Sequence, residues 1–334
     1  MKVLAGDIGG TKTNLGIFEV SATNSPIHSV FELSYVSCDY ASLEDIVTHF
    51  LAQYPETENI HNTCFGVAGP VIKQCCEVTN LPWIVSAKQL QATFSWSAVH
   101  LLNDLEANAW GIASLKANDF VTLNAGQTDA SGNCAIIAAG TGLGEAGMFW
   151  NGEHHLPFAT EGGHTDFSPS NDLEFRLQGY LSKKYQGHVS WERIVSGMGL
   201  VNLYEFLCAE ANASPPEWLV EAMQVDAAAA ISNAAMSNKD KLCQQALTWL
   251  VTLYGVEAGN QALKIMAQGG VYLGGGIAPK IISALQSGRF MQAFCNKGRM
   301  SHLMKAMPVK VIMNDKTALY GPAMFAYQNA HETL

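Results

Sequence analysis

The chain has 334 residues, 48% of them hydrophobic and only 14% charged, which is enough length and apolar content for a large core or two lobes. The formal net charge of -10, from 19 basic and 29 acidic residues, excludes nucleic acid and anionic membrane as partners, since both need a basic surface. No run approaches the roughly 20 apolar residues of a membrane span, the start does not read as a signal peptide, and eight cysteines without a C-x-x-C read as reduced thiols of a cytoplasmic protein.

In chain order, Lys2 to Asp7 predicts a strand, Gly9-Gly10-Thr11-Lys12 a turn and Asn14 to Val20 a second strand. Alternating apolar residues around a glycine turn predict a β-hairpin. Thr63 to Val67 predicts a strand and Leu105 to Leu115 a helix. The hairpin pattern then returns: Cys134 to Ala139 as a buried strand, Gly140 to Gly144 as the turn, Glu145 to Trp150 leading away. From about Glu192 to Met266 the apolar spacing and the alanine run Ala227 to Ala230 predict helices, two of them separated by Pro215-Pro216. A short strand, Gly270 to Leu273, runs into Gly274-Gly275-Gly276. Val309 to Ile312 reads as a strand, and Thr317 to Asn329 as a helix interrupted or bent at Pro322. Two similar hairpins far apart predict an internal duplication, hence an α/β protein of two lobes packed around a cleft.

Backbone N–H groups cradle a phosphate where the chain comes close without a Cβ in the way. Gly9-Gly10-Thr11-Lys12 offers such amides, a hydroxyl and a cation, and Asp7 could hold magnesium directly or through water. The alternative for any single glycine turn is a plain hairpin. Gly142-Leu-Gly144-Glu-Ala-Gly147 fits the dinucleotide spacing G-x-G-x-x-G, but Met148-Phe149-Trp150 after it looks extended rather than helical, against a Rossmann turn. Asn103-Asp104 ends an apolar strand and precedes a helix, so Asp104 either accepts a proton from a substrate hydroxyl or caps the helix. Thr160-Glu161-Gly162-Gly163-His164 places a carboxylate and an imidazole on a loop whose glycines disfavour the helix that a Glu-x-x-His metal site needs. Asn80 adds an amide near a turn, and Glu192 opens an expected helix after Ser190. Asn, Asp, Glu and His together match the donors and acceptors of a sugar.

Taken together, these segments resemble the bacterial glucokinase family of the hexokinase, Hsp70 and actin superfamily. Asp7-Ile-Gly-Gly-Thr-Lys-Thr-Asn14 is similar to its first phosphate segment, Leu102 to Ala107 to its catalytic segment, Ala139 to Gly144 to its second phosphate segment and Gly274 to Pro279 to its adenosine segment. Thr160 to His164 and Glu192 to Gly197 are similar to its sugar segments. The resemblance runs in order from Met1 to about Ala326. It implies a two-lobed actin-like ATPase (ribonuclease H-like) fold, with residues 1–112 plus about 313–334 as the small lobe and about 113–312 as the large one. It further implies ATP-dependent phosphorylation of glucose at the 6-hydroxyl, with Asp104 as general base. Asn80, Asn103, Asp104, Glu161, His164 and Glu192 would hold the sugar. Gly9, Gly10, Thr11, Lys12, Gly140, Thr141, Gly142, Gly274, Gly275 and Gly276 would hold ATP, and Asp7 would support Mg2+. A homodimer is implied as well.

Related kinases of the repressor/ORF/kinase group carry a cysteine-rich zinc motif after the sugar histidine. His164 is followed here by Thr165-Asp166-Phe167-Ser168-Pro169, which favours the zinc-free branch. The segment Leu81-Pro82-Trp83 departs from the family pattern and leaves Asn80 the weakest carry-over. Two other expectations compete: a kinase for mannose or fructose, and a nucleotide switch or sugar-sensing regulator. A first strand at Lys2 leaves no room for a preceding helix-turn-helix, and a switch has no need of the sugar set.

Overall fold

The computed structural model describes residues 1–21, 27–54, 56–127 and 131–332. It divides into one unit of Met1–Asp119, Leu156–Ala159 and Asn314–Leu334, and a second of Phe120–His155 and Thr160–Met313. Residues 333 and 334 of the expected small lobe lie outside the described residues.

The first unit is built on a five-stranded sheet. Its strands are β1 (Lys2–Ile8), β2 (Lys12–Glu19), β3 (His28–Val36), β4 (Asn62–Val67) and β7 (Ala98–Asn103), ordered β3-β2-β1-β4-β7. A two-stranded ribbon of β5 (Cys75–Glu77) and β6 (Ile84–Ser86) stands beside it in the chain. β1 pairs antiparallel with β2 and parallel with β4, and β4 pairs parallel with β7. Side chains alternate across the sheet, so β1 feeds two cores. Val3 and Ala5 pack with Leu319, Ala323 and Met324 of α12 (Thr317–Glu332). Leu4 and Ile8 pack with Ile46 and Phe50 of α1 (Leu43–Leu51), and with Leu90 of α2 (Ala87–Phe94). Each fully buried side chain of this size contributes about 1.5–3 kcal/mol. α3 (Asp104–Gly111) is shorter than expected and passes into a 3-10 turn, Ile112–Ser114. α12 is recorded as one helix through Pro322.

In the second unit, β8 (Phe120–Asn124), β9 (Cys134–Ala139), β10 (Leu143–Trp150), β12 (Gly270–Gly274) and β13 (Val309–Ile312) lie in the order β10-β9-β12-β13-β8. β11 spans His155–Thr160. The β9–β10 hairpin is antiparallel, and β9–β12 and β12–β13 are parallel. A hairpin followed by two parallel neighbours is the pattern of the first sheet, so the duplication expected from the two glycine turns is present in the topology. Because β10 is a strand, Gly142 to Gly147 is no dinucleotide turn.

The helices here are α4 (Asp172–Lys184), α5 (Gly197–Ala211), α6 (Glu217–Met236), α7 (Lys241–Lys264), α8 (Ile277–Lys280), α9 (Ile282–Leu285), α10 (Arg289–Cys295) and α11 (Ser301–Ala306). α7 is buried on most sides, with Leu250, Val251, Tyr254 and Ala258 packed against the sheet residues Ile137 and Leu273 in one core. The expected helix at Glu192 is not found. Trp191–Arg193 is a 3-10 turn, and the α-helix begins only at Gly197, where the Ser196 hydroxyl accepts from the Gly199 N–H at 2.9 Å. Serine is a strong N-cap, and it sets the helix start five residues after Glu192.

Candidate active site

In the first unit the turn after β1 is braced by Ser37, whose N–H donates to the Thr11 carbonyl at 3.0 Å and whose hydroxyl donates to the Gly9 carbonyl at 2.8 Å. Thr11 and Lys12 are exposed. Asp7 accepts from Asn14 Nδ2 at 3.2 Å. Burial raises its pKa, while Asn14 and Lys12 act the other way. A carboxylate short of compensating charge beside a phosphate-type turn fits a magnesium position. Asn80 sits at φ 63° in the turn between Val78 and Trp83. A Cβ on Gly10 would stand 3.3 Å from that of Asn80, so this amide and the glycine turn are neighbours.

Both Asp104 and its neighbour meet the first free N–H of the helix. Asn103 is the N-cap of α3: its Oδ1 accepts from the Leu105 N–H at 2.9 Å, and its Nδ2 donates to the Gly69 carbonyl at 3.1 Å. Asp104 is the first helical residue, with Oδ1 also 2.9 Å from the Leu105 nitrogen. The cap therefore does not require Asp104, and a carboxylate in the first helical turn is favoured by the dipole.

In the second unit the first residues of β10 are a junction. The Leu143 N–H donates to Glu192 Oε2 at 3.1 Å. A Cβ on Gly142 would drive into that carboxylate, so the lack of a side chain at this position makes room for Glu192. The Glu145 carbonyl accepts from the Thr160 hydroxyl at 2.8 Å, and that hydroxyl accepts from the Gly162 N–H at 3.2 Å. A Cβ on Gly162 would meet the Glu145 carboxyl. Thus β10 seats both the Glu192 turn and the Thr160 to His164 loop. His164 lies 4.0 Å from Glu161, and both side chains are largely exposed. Asn202, buried on α5, donates to the Arg193 carbonyl at 2.8 Å and so pins the turn that carries Glu192.

The second glycine turn is tied back on itself: Gly140 N–H donates to the Gly142 carbonyl, and Gly197 N–H to the Gly140 carbonyl, both at 2.9 Å. Gly140 and Thr141 line a cavity of about 850 Å³ together with Gly276, Lys280, Asp226 and Asn233. Gly274 ends β12, and Gly275 follows it at φ 76°. Sequence reasoning missed the α6 wall of this cavity. α6 is two helical stretches joined at Asp226 (φ -154°, ψ 100°), whose Oδ1 accepts from the Ala229 N–H at 2.9 Å. The signal was an Asp standing before an alanine run, an N-cap pattern. Glu145 was missed too, although it is an acid inside an otherwise apolar strand.

The sequence profile described as glucokinase matches residues 4–329. The glucokinase of Nostoc sp. strain PCC 7120 is 41% identical over 337 residues, covering 97% of this chain and 98% of that protein. Among solved structures, a glucokinase from an Antarctic psychrotroph superposes with a TM-score of 0.85 at 30% identity, covering 98% of this chain and 99% of that one. A glucokinase of the ROK family from Streptomyces griseus, solved with glucose and AMPPNP, shares the fold at a TM-score of 0.66 and 19% identity, over 98% of this chain and 100% of that one. These relatives have the two-lobed actin-like α/β fold. With its profile matched almost end to end and such identity over nearly its whole length, the chain belongs to the glucokinase family.

Proposed function

We propose that the protein transfers the γ-phosphoryl group of ATP to the 6-hydroxyl of D-glucose, giving glucose 6-phosphate and ADP. The observation that carries this is the 850 Å³ cavity, which gathers Gly140 and Thr141 of the expected second phosphate segment and Gly276 of the expected adenosine segment, far apart in sequence. The volume is in the range of a small-molecule site. The glucose and AMPPNP of the Streptomyces griseus structure support the same pair of substrates.

Asp104 takes the proton of the 6-hydroxyl as its oxygen attacks the γ-phosphorus. Glu161, His164 and Glu192 hold the other hydroxyls, with Asn103 and Asn80 adding amide contacts. Asn103 has its Oδ1 and one Nδ2 hydrogen engaged in the protein, which leaves it one hydrogen to donate to sugar. The Gly9 to Lys12 and Gly140 to Gly142 turns offer amides to the phosphates. Asp7 would hold Mg2+ with phosphate oxygens, and the ion would neutralise charge on the transferring group. A cytoplasmic homodimer belongs to the same reading, and sedimentation would test the assembly. Among the described residues no helix is long and apolar enough to cross a membrane.

The test is hexose-dependent release of ADP. ATP consumption should require added glucose, and replacing ATP with ADP should abolish product. ATP hydrolysis at the same rate with and without hexose would overturn the kinase reading.

A further inference from the structure

Beneath the Thr160 to His164 loop lie two carboxyls that the proposed reaction does not use. Glu145 of β10 is 3% exposed and Glu257 of α7 is fully buried. Their Oε1 atoms have no donor, and neither has Gln261 Oε1, one turn along α7. Two buried carboxylates cannot both stay ionised side by side, and a single proton gives the missing donor. The surroundings decide which carboxyl carries it. Glu257 accepts from Asn260 Nδ2 at 2.8 Å, has Lys264 Nζ at 3.8 Å from its Oε1, and also feels Lys297. Glu145 has burial and the Glu257 charge against it, with Lys264 acting the other way. Burial first and Glu257 second push its pKa up to about 8. Tyr254 on α7 is a further titratable group that interacts with Glu145, and Glu161 and His164 are largely exposed on the loop itself.

The Glu145 carboxyl lies against Gly162, and its own carbonyl holds Thr160, which holds the Gly162 N–H. We propose that Glu145, protonated and donating to Glu257, is a positioning residue that keeps the Thr160 to His164 loop in the place where Glu161 and His164 meet sugar. When the proton leaves, two facing carboxylates repel, and the strand residue that seats the loop shifts. Sugar affinity is then present below the folded-state pKa and lost as pH rises through it. This inference rests on the loop being the sugar loop.

Wild type, Glu145→Gln and Glu257→Gln are compared from about pH 6.5 to 9.5, by glucose affinity from tryptophan fluorescence and by hydrogen exchange at Gly162. A glutamine at 145 keeps the shape and the donor without the titration. Wild type should bind glucose at least about fivefold more weakly at the top of the range, with reduced Gly162 protection. Glu145→Gln should bind within about threefold of wild type at neutral pH and show no alkaline loss. Glu257→Gln should move the alkaline limb, and it decides the question if Glu145→Gln does not fold. A wild-type affinity and protection flat with pH, or the same alkaline limb in the variants, overturns the inference. If glucose does not bind at any pH while Gly162 protection still follows the Glu145 proton, the sugar reading fails and the positioning role stands.

Discussion

At Asp104 and Gly142, single substitutions separate structural work from the chemical roles proposed. Asn103 caps α3, so Asp104→Asn should leave the melting temperature nearly unchanged. An amide can still accept a hydrogen bond from a hydroxyl, but it is not basic near neutral pH. Turnover should therefore fall at least about a hundredfold, within the usual range for a lost general base, while glucose affinity falls much less. A folded variant that binds glucose and turns over near the wild-type rate removes Asp104 from the mechanism. Gly142→Ala should act on sugar rather than on nucleotide. Its Cβ displaces Glu192 and breaks the hydrogen bond from Leu143, and a bond to a charged group is worth about 1.5–3 kcal/mol. The expected result is a KM for glucose raised about tenfold or more, with the KM for ATP changed far less. An ATP effect as large as the glucose effect would return Gly142 to a purely phosphate role.

At the scale of elements, position follows from caps and turns. The 3-10 turn carrying Glu192 is held by Asn202, whose Oδ1 accepts from Lys184 at 2.9 Å and from the Tyr185 hydroxyl at 3.0 Å. Asn202→Ala would leave the Arg193 carbonyl and the Tyr185 hydroxyl without these partners, while Lys184 keeps Glu205, at about 1–3 kcal/mol of stability. Chemical denaturation should show that loss, and glucose affinity should fall with it because the turn is freed. Unchanged glucose affinity would mean that the turn is held by other contacts. Both β-hairpins were legible in the sequence, because glycine turns flanked by apolar alternation are local signals. The Glu192 turn was not, since a carboxylate after a serine looks like a helix start until Ser196 is seen to take the cap. Glu145 was illegible for another reason. Its partner Glu257 stands far along the chain on α7, and only the packed fold reveals that this acid is buried. The second role of Gly142 was hidden likewise, because Glu192 reaches it only through tertiary structure.

For the molecule as a whole, the repeated topology explains how one chain holds two sets of phosphate-type turns. In each unit a turn follows the strand that pairs antiparallel on one side and parallel on the other: Gly9 to Lys12 after β1, and Gly140 to Gly142 after β9. The first unit adds Asp104 at the end of β7. The second adds the Glu192 turn, the Thr160 to His164 loop and the cavity walled by α6 and α8. The residue types at the proposed sugar positions stand in the sequence one by one, while their support does not, because it comes from β10, α5 and α7 together. Net charge bears on the proposal: on a chain of -10, a polyanionic nucleotide would have to be held by local amides and a few placed cations, Lys12 among those proposed. The central claim is that these parts form a glucose kinase. The measurement that tests it most directly is the specificity constant over a panel of hexoses with saturating ATP and magnesium. A site that hydrogen-bonds substrate hydroxyls rejects analogues in which they are missing or displaced, so glucose should give the highest kcat/KM; a higher value for mannose or fructose would contradict the assignment.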